Sequence, residues 1–472
     1  MSTPLIWIFI PFGMALILIA LQSKPSLSHA LSCIFSLSLF LLALVFPEDL
    51  VFIVGDRRIE FASQVFIFGR TLQISSANLT MVALLYLINF LWNLGNSAFK
   101  TSSWFNALSL MITAFWITTL AVEPFLYAAV IIELIALLSV PLFSPRGEKT
   151  DQGLLRYLVF QTLAMSLILL SGWMLAGIGT APSANPLIIR SAMMVLFGFA
   201  LWMAAFPFHS WLPMISQTSH PWVVSFLLGA MQTALVVFLL YFLDQYAWLR
   251  NLPQLYESLR WVGVVMIMMA GLLSALQTNL SRIFGYLVLA ETGYSILAIG
   301  LTEQGGLPYM AMLFLPRLLS YWLWAWSLSA LKQTAPQKSL DIPSLRGLLH
   351  HYPFISVGIL ISLLSLVGLP LLPVFPTKQM IWFLTLKTNP EMMVWIVIGI
   401  LGMLISFLRL LHNFIAPAEQ EPDEQLPHES LRIAIPLCIV LLVMIVIGIA
   451  PQLLLPRFTE ILAPFVHLIA SP

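Results

Sequence analysis

From residue 221 to 242 the chain reads PWVVSFLLGAMQTALVVFLLYF, without one charged side chain. A helix needs about 20 such residues, at 1.5 Å each, to cross the hydrocarbon core of a bilayer. Lipid offers the backbone no hydrogen-bond partner, so a run of this kind must satisfy its amides internally, as a helix does. Comparable runs recur near 4–21, 28–46, 76–97, 104–121, 124–143, 154–177, 190–217, 221–243, 259–276, 282–301, 308–331, 354–386, 393–414 and 431–450. The expected fold is therefore an all-α, multi-pass membrane protein of about fourteen transmembrane helices.

Composition sharpens what this excludes. Hydrophobic residues make up 60% of the chain and charged residues 9%, with a mean hydropathy of +0.96. Soluble domains carry about 25% charged residues. A net charge of +1 removes a polyanion-binding surface from consideration, so nucleic acid is not an expected partner, whereas lipid is. Cys33 and Cys438 lie inside apolar runs, where a thiol behaves as a small hydrophobe; they form neither a disulfide framework nor a metal cluster. The polar stretches near 47–75, 332–353 and 415–431 are too short to build a core of their own. The opening MSTPLIWIFIPFGMALILIALQ has no basic n-region or small-residue cleavage site, and reads as a retained first span.

Basic residues in the short loops set an expected orientation. With the N-terminus outside, Lys24, Lys100, Arg146, Lys149, Arg156, Arg282, Lys332, Lys338, Arg346 and Arg432 fall on the inner side. The opposite side holds chiefly Arg190, Arg250, Arg260, Lys387 and Arg457. The acidic run EQEPDEQ at 419–425 reads as a solvated loop. The 15 tryptophans read mostly as interfacial belt and packing residues.

Two runs, 190–217 and 354–386, are too long for one straight span, and both contain prolines. Pro207 and Pro213 bracket the stretch FPFHSWLP in the first; Pro370, Pro373 and Pro376 interrupt the second. Proline in a helix interior removes a hydrogen bond and clashes with the preceding turn. The freed carbonyls must be answered inside a bundle or beside a watery cavity. Paired broken spans point to an inverted-repeat transporter, here with repeats at 104–243 and 259–414, preceded by helices within 1–103 and followed by a helix and tail at 431–472.

An ionisable side chain at mid-membrane costs roughly 2.5–3.5 kcal/mol on insertion scales. Few are present: Glu133, Glu291, Arg317, Lys378 and Arg409, with His209 and Gln232 adding polar groups near the first break. Strung across successive helices they suit a lateral proton relay. Each also has a plainer reading. Glu133 fits a structural ion pair, Glu291 a cap on a neighbouring helix, His209 a partner for a freed carbonyl, and Arg317 and Arg409 contacts with lipid phosphate.

Four stretches carry a family resemblance: AAFPFHSWLPMISQTSHPWVVSFLLGAMQ at 204–232, LSALQTNLSRIFGYLVLAETGYSI at 273–296, DIPSLRGL at 341–348, and LLSLVGLPLLPVFPTKQMIWF at 363–383. They resemble the antiporter-like membrane subunits shared by respiratory complex I, membrane-bound hydrogenases and Mrp-type sodium/proton antiporters. The resemblance implies fourteen helices, breaks in helices 7 and 12, an inverted repeat of helices 4–8 and 9–13, and proton movement along buried charges. It maps the helix-5 glutamate onto Glu133 and the helix-12 lysine onto Lys378. Two lysine positions of that family are lost, one to Trp202 and one to Gln232. Indole has only an N–H donor and an amide holds no charge. Further departures are Ser281, the pair Ala290 and Glu291, and Val374.

Three functions follow as expectations. One is a membrane-arm subunit of a redox-driven, proton-translocating complex, with a partly degenerate path. Another is a transport-inactive structural subunit of the same kind of complex. The last is an ion or inorganic-carbon uptake subunit that reuses the scaffold, for which His209, Ser210 and Lys378 offer only a thin polar pocket. No recognisable motif binds a nucleotide, flavin, quinone head or metal, so any cofactor and catalytic centre is expected on other membrane-associated subunits. The tail PRFTEILAPFVHLIASP resembles the shorter family types, which lack a lateral C-terminal helix. The expected location is the bacterial inner membrane or an equivalent energy-coupling membrane.

Overall fold

The computed structural model describes residues 2–46, 51–54, 57–67, 69–99, 101–144, 151–175, 186–335, 339–417, 429–453 and 455–469. Lys100, Arg146, Lys149, Lys338 and the acidic run at 419–425 lie outside the described residues. In chain order the main helices are α1 (Ile10–Ala20), α2 (Pro25–Val45), α3 (Leu79–Phe99), α4 (Phe105–Ala121), α5 (Ala128–Phe143), α6 (Gln152–Leu175), α7 (Pro186–Trp202) and α8 (Trp211–Thr218). There follow α9 (Pro221–Gln245), α10 (Pro253–Leu276), α11 (Leu280–Gly300), α12 (Phe314–Thr334), α13 (Pro353–Val367), α14 (Phe375–Thr388), α15 (Pro390–Ile415) and α16 (Leu431–Ile449).

Among the described residues nine helices are long and apolar enough to cross a membrane. Leu5–Ala20, Phe105–Ala121, Ile189–Trp202 and Pro353–Val367 are shorter apolar helices. One expectation needs correction. The polar stretch at 47–75 is not simple loop, and the fold is not wholly α. Val51–Val54 pairs antiparallel with Arg57–Glu60, Gln64–Ile67 pairs with Arg70–Gln73, and Arg70–Gln73 also pairs with Val122–Glu123. At four residues or fewer each, with Arg57, Arg58, Glu60 and Arg70 among them, these strands are too short and too interrupted by charge to span lipid, and pairing satisfies their backbones.

The chain forms two compact units. The first comprises Met1–Met203, Ala230–Leu252 and Glu460–Pro472. Its helices α2, α3 and α4 share a buried polar ladder. Ser36 Oγ donates to Asn89 Oδ1 at 2.7 Å, Asn89 Nδ2 to Thr113 Oγ1 at 3.0 Å, and Asn93 Nδ2 to Ser109 Oγ at 3.2 Å. Apolar contact alone does not hold helices together in lipid, so such interhelical bonds and close packing set the arrangement. Asp244, just inside the end of α9, accepts the backbone N–H groups of His467 and Leu468 at 3.0 and 3.1 Å and so ties down the tail.

The second unit comprises Ala204–Gly229 and Pro253–Thr459. At its centre is α11, buried along its length apart from Arg282, which is half-buried. Helices α10 and α15 meet backbone to backbone: a Cβ on Gly271 would fall 1.9 Å from the Gly399 carbonyl oxygen. Only glycine admits that approach, and Ser406 Oγ donating to Ser274 Oγ at 3.0 Å continues the seam. Arg409 donates to the Ala275 and Gln277 carbonyls at the end of α10, so it serves a helix terminus rather than lipid.

Candidate functional site

The second break supplies the most concentrated chemistry. Helix α13 ends at Gly368, whose φ of 92° lies in the left-handed region that favours glycine. The Leu369 N–H reaches the Leu364 carbonyl at 3.2 Å and the Gly368 N–H reaches Ser365 at 3.1 Å, the paired bonds of a Schellman cap. This cap leaves the Leu366 carbonyl unanswered. Pro370 and Pro373 keep the next residues from rejoining the helix, and α14 starts at Phe375 with Pro376 in its first turn, where a missing N–H costs nothing.

Lys378 lies in the first turns of α14, fully buried, and donates to that Leu366 carbonyl. Its Nζ is 2.5 Å from Glu291 Oε1 and 4.1 Å from the centre of the Tyr294 ring. Glu291 and Arg317 are also fully buried, and Arg317 Nη1 donates to Ser295 Oγ at 3.0 Å. Ser295 in turn donates to the Glu291 backbone carbonyl at 3.2 Å, and Trp382 Nε1 donates to the Tyr294 hydroxyl at 3.2 Å. The break therefore gathers two cationic side chains, one carboxylate and a tyrosine from α11, α12 and α14. A Cβ on Gly368 would stand 3.0 Å from Lys378 Cδ, so the glycine also makes room for the lysine stem. Such a pair can exchange a proton when water or another donor reaches it, because the charge of each partner sets the stability of the other's.

The first break is poorer in charge. Helix α7 stops at Trp202, Ala204 takes a positive φ of 55°, and a short 3₁₀ turn at Phe208–Ser210 leads into α8. Pro207 lies in the gap, whereas Pro213 lies in the first turn of α8, where proline is tolerated and interrupts nothing. His209 is half-buried, stacked on Phe206 at 5.2 Å and 6.1 Å from Tyr286. Its ring Nδ1 has no hydrogen-bond partner of good geometry among the described residues, while the imidazole lies against the Pro207 backbone carbonyl at the break.

In the first unit, Trp202 is fully buried, 5.7 Å from Phe199 and 5.8 Å from Phe238 ring to ring. Phe238 and Phe242 continue the cluster to Phe125. Where the resemblance expects a lysine, this unit thus holds an aromatic plug. Gln232 is buried on α9. Glu133 is only half-buried, against the expectation of a buried carboxylate, because it sits on the α5 face beside the exposed Thr162 of α6. Thr162 donates to Glu133 Oε1 at 2.7 Å, and no described basic residue pairs with it.

Lys378, Glu291 and Arg317 are therefore brought together, while His209 has Phe206, Tyr286 and the Pro207 backbone as neighbours. Sequence reasoning missed Tyr294, Ser295, Trp382 and the Leu366 carbonyl. The signal available was spacing: Tyr294 and Ser295 stand three and four residues after Glu291, on its face of the helix.

A family model described as "NADH:quinone oxidoreductase/Mrp antiporter, TM" matches residues 130–406. The chain is similar to NADH-quinone oxidoreductase subunit N of Geotalea uraniireducens, 25% identical over 337 residues, which cover 67% of this chain and 69% of that one. It is 28% identical to subunit N of Desulforamulus reducens over 275 residues, covering 57% of this chain and only 55% of the relative. Among solved structures, a chain of the archaeal membrane-bound sulfane sulfur reductase superposes with a TM-score of 0.84 at 19% identity, over 99% of this chain and 98% of that one. A chain of the Mrp complex from Dietzia sp. DQ12-45-1b gives 0.77 at 18% identity, over 99% of both. A chain of respiratory complex I from Thermus thermophilus gives 0.73 at 19% identity, over 96% and 99%.

Proposed function

The chain belongs to the NADH:quinone oxidoreductase/Mrp antiporter family, and on that footing we propose that it is an antiporter-like membrane-arm subunit of a redox-driven, proton-translocating complex. Supporting this are relatives that are oxidoreductase subunits and neighbours of like fold that are parts of multi-subunit membrane complexes. Fourteen spans arranged as inverted repeats at 104–243 and 259–414, in a bacterial inner membrane, belong to the same proposal. Electron carriers would reside on partner subunits, and this chain would move protons.

The observation that carries the reading is the fully buried Lys378–Glu291 pair at the broken helix. Holding two ionisable side chains out of water is costly, and a structural bundle gains little from it over apolar packing. In the proposed mechanism Lys378 takes up and releases a proton, Glu291 holds its charge in place, and Arg317 fixes the net charge of the cluster because it never deprotonates. Glu133, half-buried beside the exposed Thr162, would lie near a neighbouring membrane subunit. The aromatic packing of Trp202 favours a second reading, a subunit that links its neighbours without pumping.

Purification of the native assembly tests the first half of the proposal: iron–sulphur and further membrane subunits should co-purify. An isolated, stable monomer with ion-uptake activity would refute it. The second half is read from protons moved per electron in vesicles. A Lys378→Met, Glu291→Gln double variant should keep electron transfer but lower pumping roughly hundredfold, the scale of a lost acid–base group. Unchanged pumping would favour the linking role.

A further inference from the structure

Trp202 removes a titratable group from the first unit, yet a polar side chain stands beside it. Gln161 on α6 is fully buried, and its backbone carbonyl accepts the Trp202 indole N–H at 3.3 Å. Neither atom of its amide has a partner among the described residues. A primary amide brings two donors and an acceptor with two lone pairs, all of which require answers when buried. Ordered water is what usually answers such groups, each molecule making about three hydrogen bonds.

The surroundings extend this in two directions. One turn earlier on α6, the Tyr157 hydroxyl is 3.2 Å from Ser139 Oγ on α5. At the next residue, Thr162 donates to Glu133 Oε1, and Glu133 Oε2 is buried without a partner among the described residues. A single stretch of α6 thus meets the hydroxyls and carboxylate of α5 and the aromatic plug of α7.

We propose that Gln161 binds ordered water beside Trp202, and that this water, with the Tyr157–Ser139 and Thr162–Glu133 pairs, carries protons around the indole. The conduction half rests on the proton-translocating reading; the water site does not. In each hop a water or hydroxyl oxygen accepts a proton on a lone pair and releases another, so no covalent product accumulates. Glu133 stores one proton and gives one up. The amide stays neutral throughout, and Gln161 is a positioning residue.

The test is a cryo-electron microscopy map of the assembled complex, sharp enough to resolve water, combined with Gln161→Leu and Gln161→Met variants. The native map should show density within hydrogen-bond distance of both amide atoms, and both variants should lose it. Protons moved per electron should fall roughly hundredfold, as when a reacting group is misplaced, while assembly and electron transfer persist. The methionine variant keeps the volume should leucine hinder folding. A native map without density at the amide overturns the proposal outright. Density together with unaltered pumping in both variants overturns the detour. Density in a native complex that pumps nothing supports the water site and refutes the proton-translocating reading instead.

Discussion

A buried ammonium has to be answered from several sides, and Lys378 receives a carboxylate, a carbonyl and an aromatic face. Removing one member leaves the other charge stranded. Lys378→Met or Glu291→Gln alone should therefore destabilise the protein by about 3–5 kcal/mol, whereas the paired Lys378→Met, Glu291→Gln change should cost much less. Thermal unfolding of the four species in detergent measures this coupling, and strictly additive losses would show that the two residues do not depend on one another. At this scale the sequence was informative wherever a charge interrupted an apolar run, since lipid makes every such charge conspicuous. It named Lys378, Glu291 and Arg317, but not that one carboxylate would serve beside two cations. Gln161 stayed hidden because an uncharged amide in a long run resembles any other interior polar residue. The resemblance marked Trp202 as a departure from the family pattern, and Phe199 stands one turn before it, yet the ring cluster also depends on Phe125 and Phe238, which are distant in sequence.

Elements show the same divide. Prolines foretold both interruptions, but the second break begins at Gly368, ahead of all three of its prolines. Alanine there would have to adopt the left-handed conformation, at about 1–2 kcal/mol, and would crowd the Lys378 stem. Gly368→Ala should lower both the melting temperature and pumping. At the other end of α13, the Glu429 carboxylate accepts the Phe354 and Ile355 N–H groups at 3.0 and 2.8 Å. Glu429→Ala should cost about 0.5–2 kcal/mol, the usual value of a helix cap, and hydrogen exchange at those two amides should quicken. Neither contact is legible in the chain alone, because Glu429 belongs to a distant segment. The same holds for the Gly271–Gly399 seam, where glycine in an apolar helix is compatible with many partners. The hairpins within 47–75 escaped because their charges argued only against a span.

For the molecule as a whole, acid should be destabilising, with a defined origin. His220 sits in the turn between α8 and α9, where its Nδ1 accepts the Trp222 N–H at 3.3 Å. Burial, with a smaller contribution from Lys332, pushes its imidazole down from 6.5 to about 4. The unfolded chain thus binds a proton that the folded one refuses between those values, so stability falls as the pH drops from 6.5 toward 4, by roughly 3 kcal/mol in all. Asp341, held low by hydrogen bonds from Ser339 and Asn279, acts in the same sense below the ordinary carboxylate range: its contribution is complete above 3.8 and disappears as the pH falls through its lower folded value. Unfolding followed across pH 4–7 should show the slope in the native chain and a flatter one in His220→Gln; equal slopes would place the origin elsewhere.

The bond from Lys378 to the Leu366 carbonyl has a mechanical corollary. One ammonium group both clasps the frayed end of a rod and closes the buried electrical circuit with Glu291. Stripping its proton weakens the clasp at the same instant, so the rod's tip and the site's voltage are geared together, and neither can be adjusted while the other stands still.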